Sequence, residues 1–181
     1  MIKMSAIAIM LIFIISGCAN FSNNRSSEDE VAVKYMNLLE KDKVTEVVNR
    51  LFISTDNRDW DTVRQIFTSK VLFDMTSMVG GEPATLTSQE IVTSWEKGLK
   101  PLEAIHHQTG NYIVTVNKKE ADVFCYGIAS HYLPNKTNQN TRIFVGSYNF
   151  HLIKNGEVWQ IDKFKFNLKY IDGNPQLEAT Q

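Results

Sequence analysis

The sequence predicts an α+β protein, and two observations predict it. Apolar residues recur at helical spacing through the first half of the chain, and four long β-rich stretches separated by turn signals fill the second. Helices first and a meander of strands second places about three helices over one face of a curved antiparallel sheet, and a sheet folded over helices leaves a closed-ended pocket. No internal repeat is visible. The composition is ordinary, 43% hydrophobic and 22% charged with a net charge of -1. That balance offers no electrostatic footprint for nucleic acid, so a small, weakly charged, apolar partner is expected.

A lysine, Lys3, precedes the apolar run Ala6 to Ile15, which ends in "IISGCAN", residues 14 to 20. A run of this length is about half the roughly 20 residues needed to span a bilayer, and its basic start and small-residue end suit a cleaved secretory leader. Ile15-Ser16-Gly17-Cys18 also resembles the lipobox of bacterial lipoproteins. That resemblance implies cleavage before Cys18, lipidation of its thiol, acylation of the new amino terminus and attachment to the membrane. Ala19 after the cysteine implies, on the same footing, the outer membrane facing the periplasm in a two-membrane bacterium. Residues 1–17 are thus read as the signal peptide and 18–30, with its "NFSNNRSSEDE", as a lipidated tether too polar to fold. Cys125 then has no partner for a disulfide, and a thiolate metal site is excluded.

Ser27 and Glu30 fit a capping box for a long amphipathic helix, or two joined near Lys41-Asp42-Lys43. Its apolar stripe is Val31, Tyr35, Leu38 and Leu39, then Val44, Val47, Val48, Leu51 and Phe52. A second helix runs from Trp60 to Phe67, the aspartates of "DWD" favouring its amino end. Val71 to Met75 is a brief strand, "GGEP" breaks the chain, and Thr87 with Glu90 caps a third helix carrying Ile91, Trp95 and Leu99. The β stretches follow at about 105–116, 121–132, 141–153 and 157–169, divided by "NKKE", "PNKTNQNT" and the hairpin signal "KNGE".

"TDNRDWDTVRQIFTSKVLFDM", "HHQTGNYIV", "GSYNFHLIKNGEVWQI" and "YIDGN" together resemble the SnoaL-like and scytalone-dehydratase-like proteins of the nuclear transport factor two superfamily. The domain is accordingly bounded at 31–175, with 176–181 as a tail. The resemblance implies a catalytic aspartate at Asp56, a catalytic histidine at His107, and a substrate-contacting Ser-x-Asn at Ser147 and Asn149. The family's second catalytic histidine falls at Gly127, and its two water-holding tyrosines fall at Thr55 and Met75, which argues against dehydration of the family's own substrate. Family members also commonly pair through the sheet, which implies a homodimer.

A neutral imidazole is the natural proton acceptor near physiological pH, and a carboxylate can fix its tautomer. Asp56 and His107 form such a dyad, or Asp56 caps a helix end and His107 fills the core. His131 shares a strand face with Cys125 and Gly127, so it supplies an imidazole from the pocket rim or ends its strand in solvent. His106 and His107, as strand neighbours, point to opposite faces and make no zinc motif. Trp95 and Met75 are placed as ligand contacts beside Ser147, Asn149 and His131. Without a Walker loop, dinucleotide fingerprint or nucleophile elbow, no cofactor is expected. The chain reads as an envelope lipoprotein whose pocket binds a small apolar molecule, as a cofactor-independent lyase or isomerase, as a non-catalytic binder, or as a protein-interaction module using the sheet face.

Overall fold

A computed structural model describes residues 16–180, with side chains from 27 to 179. The leader before residue 16 and the side chain of Cys18 lie outside the described residues. The chain divides into two compact units at Leu39 and Glu40. Helix α1, Ser16–Asp56, runs unbroken through Lys41-Asp42-Lys43. The stretch 18–30 read as an unfolded tether is therefore helical in backbone, and Ser27 lies inside the helix rather than at its cap. Val31, Tyr35 and Leu38 are exposed.

In the second unit the apolar stripe of α1 does what its spacing demands. Val44, Val48 and Leu51 are fully buried and Phe52 nearly so. Asp59 caps α2, Trp60–Ile66, by accepting from the Thr62 amide at 3.1 Å. Phe67, placed at the end of that helix by its period, instead opens strand β1, Phe67–Asp74. Two short elements escape the sequence reading: a single turn α3, Thr76–Val79, and strand β2, Ala84–Thr87. The capping box of Thr87 and Glu90 forms reciprocally at the start of α4, Ser88–Leu99.

Four long strands follow, β3 Ala104–Asn117, β4 Glu120–Tyr132, β5 Thr141–Asn155 and β6 Val158–Gly173. Asn155 pairs with Val158 across the turn that contains Gly156, at φ 61°. That positive φ is why "NG" signals a hairpin. The six-stranded sheet is curved and unclosed, in the order β2-β1-β6-β5-β4-β3. All its pairings are antiparallel except β1 with β6, which is parallel.

Bulges keep the concave face apolar. On β6 the register slips at Asp162, between the pairs His151–Lys163 and Leu152–Ile161. Trp159 and Ile161 before the slip and Phe164 and Phe166 after it are all buried on the same side. Phe164 meets the rings of Phe67, Phe73, Trp95, Tyr148 and Phe150 at centroid distances of 4.9 to 6.4 Å. A second cluster, Leu102, Ile105, Leu133 and Leu177, closes one end. Leu177, within the stretch 176–181 read as a tail, is fully buried and opens a 3-10 turn, Leu177–Thr180.

Where β4 and β5 lie against each other, Gly127 pairs with Gly146. A Cβ on Gly146 would stand 2.4 Å from the Asn167 carbonyl oxygen, which is backbone and cannot swing aside. Gly146→Ala is expected to cost about 1–3 kcal/mol through overpacking. Urea denaturation would show it as a lower midpoint at unchanged slope.

Candidate active site

The last residue of α1 reaches β3 with both carboxylate oxygens. Asp56 Oδ2 accepts the backbone N–H of His107 at 2.8 Å, and Oδ1 lies 2.6 Å from His107 Nδ1. A carboxylate only accepts, so Nδ1 carries a proton, and in the neutral imidazole it is Nε2 that keeps the lone pair. The backbone bond fixes the carboxylate, the ring bond fixes the tautomer, and the ring stacks on Phe52 at 5.0 Å and 26°. His106, its neighbour, points to the opposite face and is three-quarters exposed, 3.9 Å from the same carboxylate. Asp56 and His107 are therefore brought together, and His107 borders a cavity of about 240 Å³.

That cavity is walled by Phe52, Trp95, Tyr148, Phe164 and Phe166, with Met75, Met78 and Phe144 completing its apolar lining. Met75 and Trp95, both named from the sequence, line this cavity. Thr55, at the position of a family tyrosine, also borders the cavity, but its hydroxyl donates to the Leu51 carbonyl at 2.8 Å and is committed to the helix. The position of the family's second histidine, Gly127, has no room for a side chain, since a Cβ there would meet the Tyr148 ring at 2.2 Å.

An imidazole nevertheless reaches the cavity from four residues further along β4. His131 is buried, 9% exposed, rather than ending its strand in solvent. It pairs across the sheet with Arg142 of β5, whose Nη2 lies 3.2 Å from His131 Nδ1. Guanidinium can only donate, so Nδ1 is the acceptor and the proton sits on Nε2. Burial, with the Arg142 charge adding to it, pushes His131 down to about 4, and it is neutral at physiological pH. The two imidazoles therefore hold opposite tautomers, His107 with a bare Nε2 and His131 with a protonated one.

Arg142 is itself held. Its Nη1 and Nη2 donate to Glu178 Oε2 and Oε1 at 2.8 and 2.6 Å, and its guanidinium lies 5.2 Å from the Phe144 ring centroid. Burial alone would raise the Glu178 carboxyl, but these two bonds overcome it and hold the group below its ordinary value. Neither Arg142 nor Glu178 figures in the sequence reading. The signal available was the loop "PNKTNQNT", which, closing strands of matched length, sets an arginine opposite His131.

Two expected ligand contacts are corrected. Ser147 and Asn149 lie on the convex face, because Tyr148 and Phe150 take the inward positions of β5 and the side-chain period is two. Asn149 accepts from Asn167 Nδ2 at 2.8 Å and borders a separate groove with Asp74, His151, Lys163 and Lys165. His151 is paired there with Asp162 at 2.6 Å. Cys125, fully buried, has its thiol pushed up to about 12 by burial and is no nucleophile. Among the described residues no cluster could hold a metal ion.

A family described as the SnoaL-like domain matches residues 36–165. Similar solved structures include the Kfla4162 protein from Kribbella flavida, with 20% identity over 72% of this chain and 90% of that one and a TM-score of 0.69. A protein assigned provisionally as a scytalone dehydratase from Novosphingobium aromaticivorans is 16% identical over 78% and 91%, with a TM-score of 0.66. Hexachlorocyclohexane dehydrochlorinase LinA-type3 from Novosphingobium barchaimii is 11% identical over 77% and 92%, with a TM-score of 0.62. No curated protein sequence matches the chain.

The depressed His131 carries a stability consequence. A histidine that titrates at its ordinary 6.5 when unfolded and at about 4 when folded binds more protons in the unfolded state between those values. Its neutral burial is therefore free of charge cost above pH 6.5, and stability falls as pH drops from there through about 4. Between pH 6.5 and 5 the loss attributable to this group should be roughly 2 kcal/mol. His131→Gln, which keeps an acceptor for Arg142 but cannot titrate, should flatten that part of the urea-denaturation profile.

Proposed function

The chain belongs to the SnoaL-like domain family, and on that premise we propose that its pocket binds a small apolar, oxygen-bearing molecule and moves a proton on it without a cofactor. The observation that carries this reading is the Asp56–His107 chelate with Nε2 unbonded beside an apolar cavity. In a lyase reaction His107 Nε2 would take a proton from carbon, the released electron pair would form the new double bond, and the leaving group would depart with its own pair. In an isomerase the same imidazolium would return the proton to another carbon. Asp56 stabilises the imidazolium in either case. The names dehydrochlorinase and dehydratase borne by two structural neighbours denote eliminations, which supports the reaction class as a proposal for this chain.

A non-catalytic role is favoured by a different observation. The convex face exposes Ile113, Tyr126, Ile128 and Tyr170, apolar groups suited to covering by a protein surface, a second copy of the chain included. For the amino-terminal region we propose cleavage before Cys18 and lipid attachment to its thiol, anchoring the domain in the bacterial envelope. Support comes from the order Ile15-Ser16-Gly17-Cys18 after a short apolar run. None of the described helices is long and apolar enough to cross a membrane.

Two experiments test these proposals. The dyad predicts that nitrogen-15 spectra of His107 show a protonated Nδ1, that Asp56→Ala shifts the ring toward the Nε2–H form, and that His107→Ala lowers turnover of an elimination substrate by about 10²- to 10⁴-fold. An unchanged tautomer in Asp56→Ala would exclude the dyad. For the anchor, the full-length protein should partition into a detergent-rich phase, and Cys18→Ala should remain aqueous or retain its leader. A water-soluble wild type would refute lipidation.

A further inference from the structure

We propose that the pocket selects an uncharged carbonyl compound, whose oxygen is held by His131 Nε2–H at the end of a positioning chain running from Glu178 through Arg142. This rests on the pocket reading above, but not on proton transfer by His107.

The chain of contacts begins in the carboxy-terminal turn. Leu177 is fully buried against Leu102, Ile105 and Leu133, which fixes the backbone of the next residue, Glu178. Both Glu178 oxygens are bonded by the Arg142 guanidinium, a fork-to-fork arrangement that sets its plane. The Nη2 edge so placed donates to His131 Nδ1 and leaves the Nε2 position protonated. No hydrogen bond of Nε2 to the described residues accompanies it, and the ring borders the cavity. Arg142 Nε is also buried without a hydrogen-bond partner, alone among the described buried side-chain nitrogens and oxygens. The unpaired His131 N–H, on a residue bordering a largely apolar cavity, calls for a ligand oxygen that accepts.

Charge decides which oxygen. The Arg142 cation is already matched by the Glu178 carboxylate, His131 is neutral, and Asp56, bonded to the lining residue His107, adds a negative charge. A carboxylate ligand would bring a third anion into a site with no uncompensated cation. A ketone or aldehyde accepts without bringing charge. The register also suits it: His107 stands opposite Ala129 and Ile105 opposite His131, so the two histidines are diagonal neighbours across β3 and β4. Such neighbours lie roughly 7–8 Å apart, a separation that a small carbonyl compound can bridge.

The test is calorimetric titration of the folded protein with three probes of similar shape: acetophenone, ethylbenzene and benzoate. Wild type should bind acetophenone at least about tenfold more tightly than either of the others, the ratio one satisfied hydrogen bond supplies. Glu178→Gln frees the Arg142 charge, so benzoate should gain about tenfold or more while ethylbenzene stays unchanged. His131→Phe should abolish the acetophenone preference and leave ethylbenzene binding within about threefold. Nitrogen-15 spectra should show His131 protonated at Nε2 in wild type and in a mixture of tautomers in Arg142→Met. Should Arg142→Met fail to fold by circular dichroism, the Glu178 and His131 variants carry the test alone. Equal binding of acetophenone and ethylbenzene by wild type, or benzoate as its preferred probe, would overturn the carbonyl assignment while leaving the pocket reading intact. Binding of none of the three would overturn both.

Discussion

The burial of one helix face in the concavity of the sheet is the constraint on which the rest of this domain depends. Val44, Val48, Leu51 and Phe52 of α1 are packed against Val123, Cys125, Phe150 and Leu152, and the sheet must curve to keep those contacts along its length. The bulge at Asp162 follows from that demand. Without a one-residue slip, either Trp159 and Ile161 or Phe164 and Phe166 would face outward. Once α1 is seated, its terminal residue Asp56 is delivered to β3, and the Asp56–His107 pairing is a by-product of core packing.

The site then gains its polarity from two local electrostatic arrangements of opposite sense. Asp56 supplies an acceptor to one imidazole and Arg142 supplies a donor to the other, so two side chains of identical chemistry carry their protons on different nitrogens. Each arrangement is held from outside the sheet, by the end of α1 in one case and by the carboxy-terminal turn in the other. The cavity between them is apolar, which strengthens both interactions by excluding water from their surroundings.

Much of the fold was legible in the sequence because it rests on local signals. The Thr87–Glu90 capping box, the Asp59 cap and the Asn155-Gly156 turn each involve residues within a few positions of one another. The helix stripe of α1 and the alternation within each strand are likewise periodic. What escaped was non-local or below the length at which a pattern is visible. Strand β2 is four residues long and stands only because β1 lies beside it. The parallel pairing of β1 with β6 joins segments roughly ninety residues apart, for which no local signal exists.

The same division runs through the site. The sequence by itself determined that an aspartate and a histidine occupy Asp56 and His107, that no second imidazole occupies Gly127, and that the surroundings are rich in aromatic side chains. Ser147 and Asn149 were assigned inward by resemblance, and it was the burial of Tyr148 and Phe150 that turned them outward. Only the tertiary structure decided that His131 is buried and neutral, that Arg142 faces it, and that Glu178 closes the chain. Tautomers and ion pairs depend on atoms within about 3 Å of each other, and such distances are set by the folded register, which a linear order of residues does not carry.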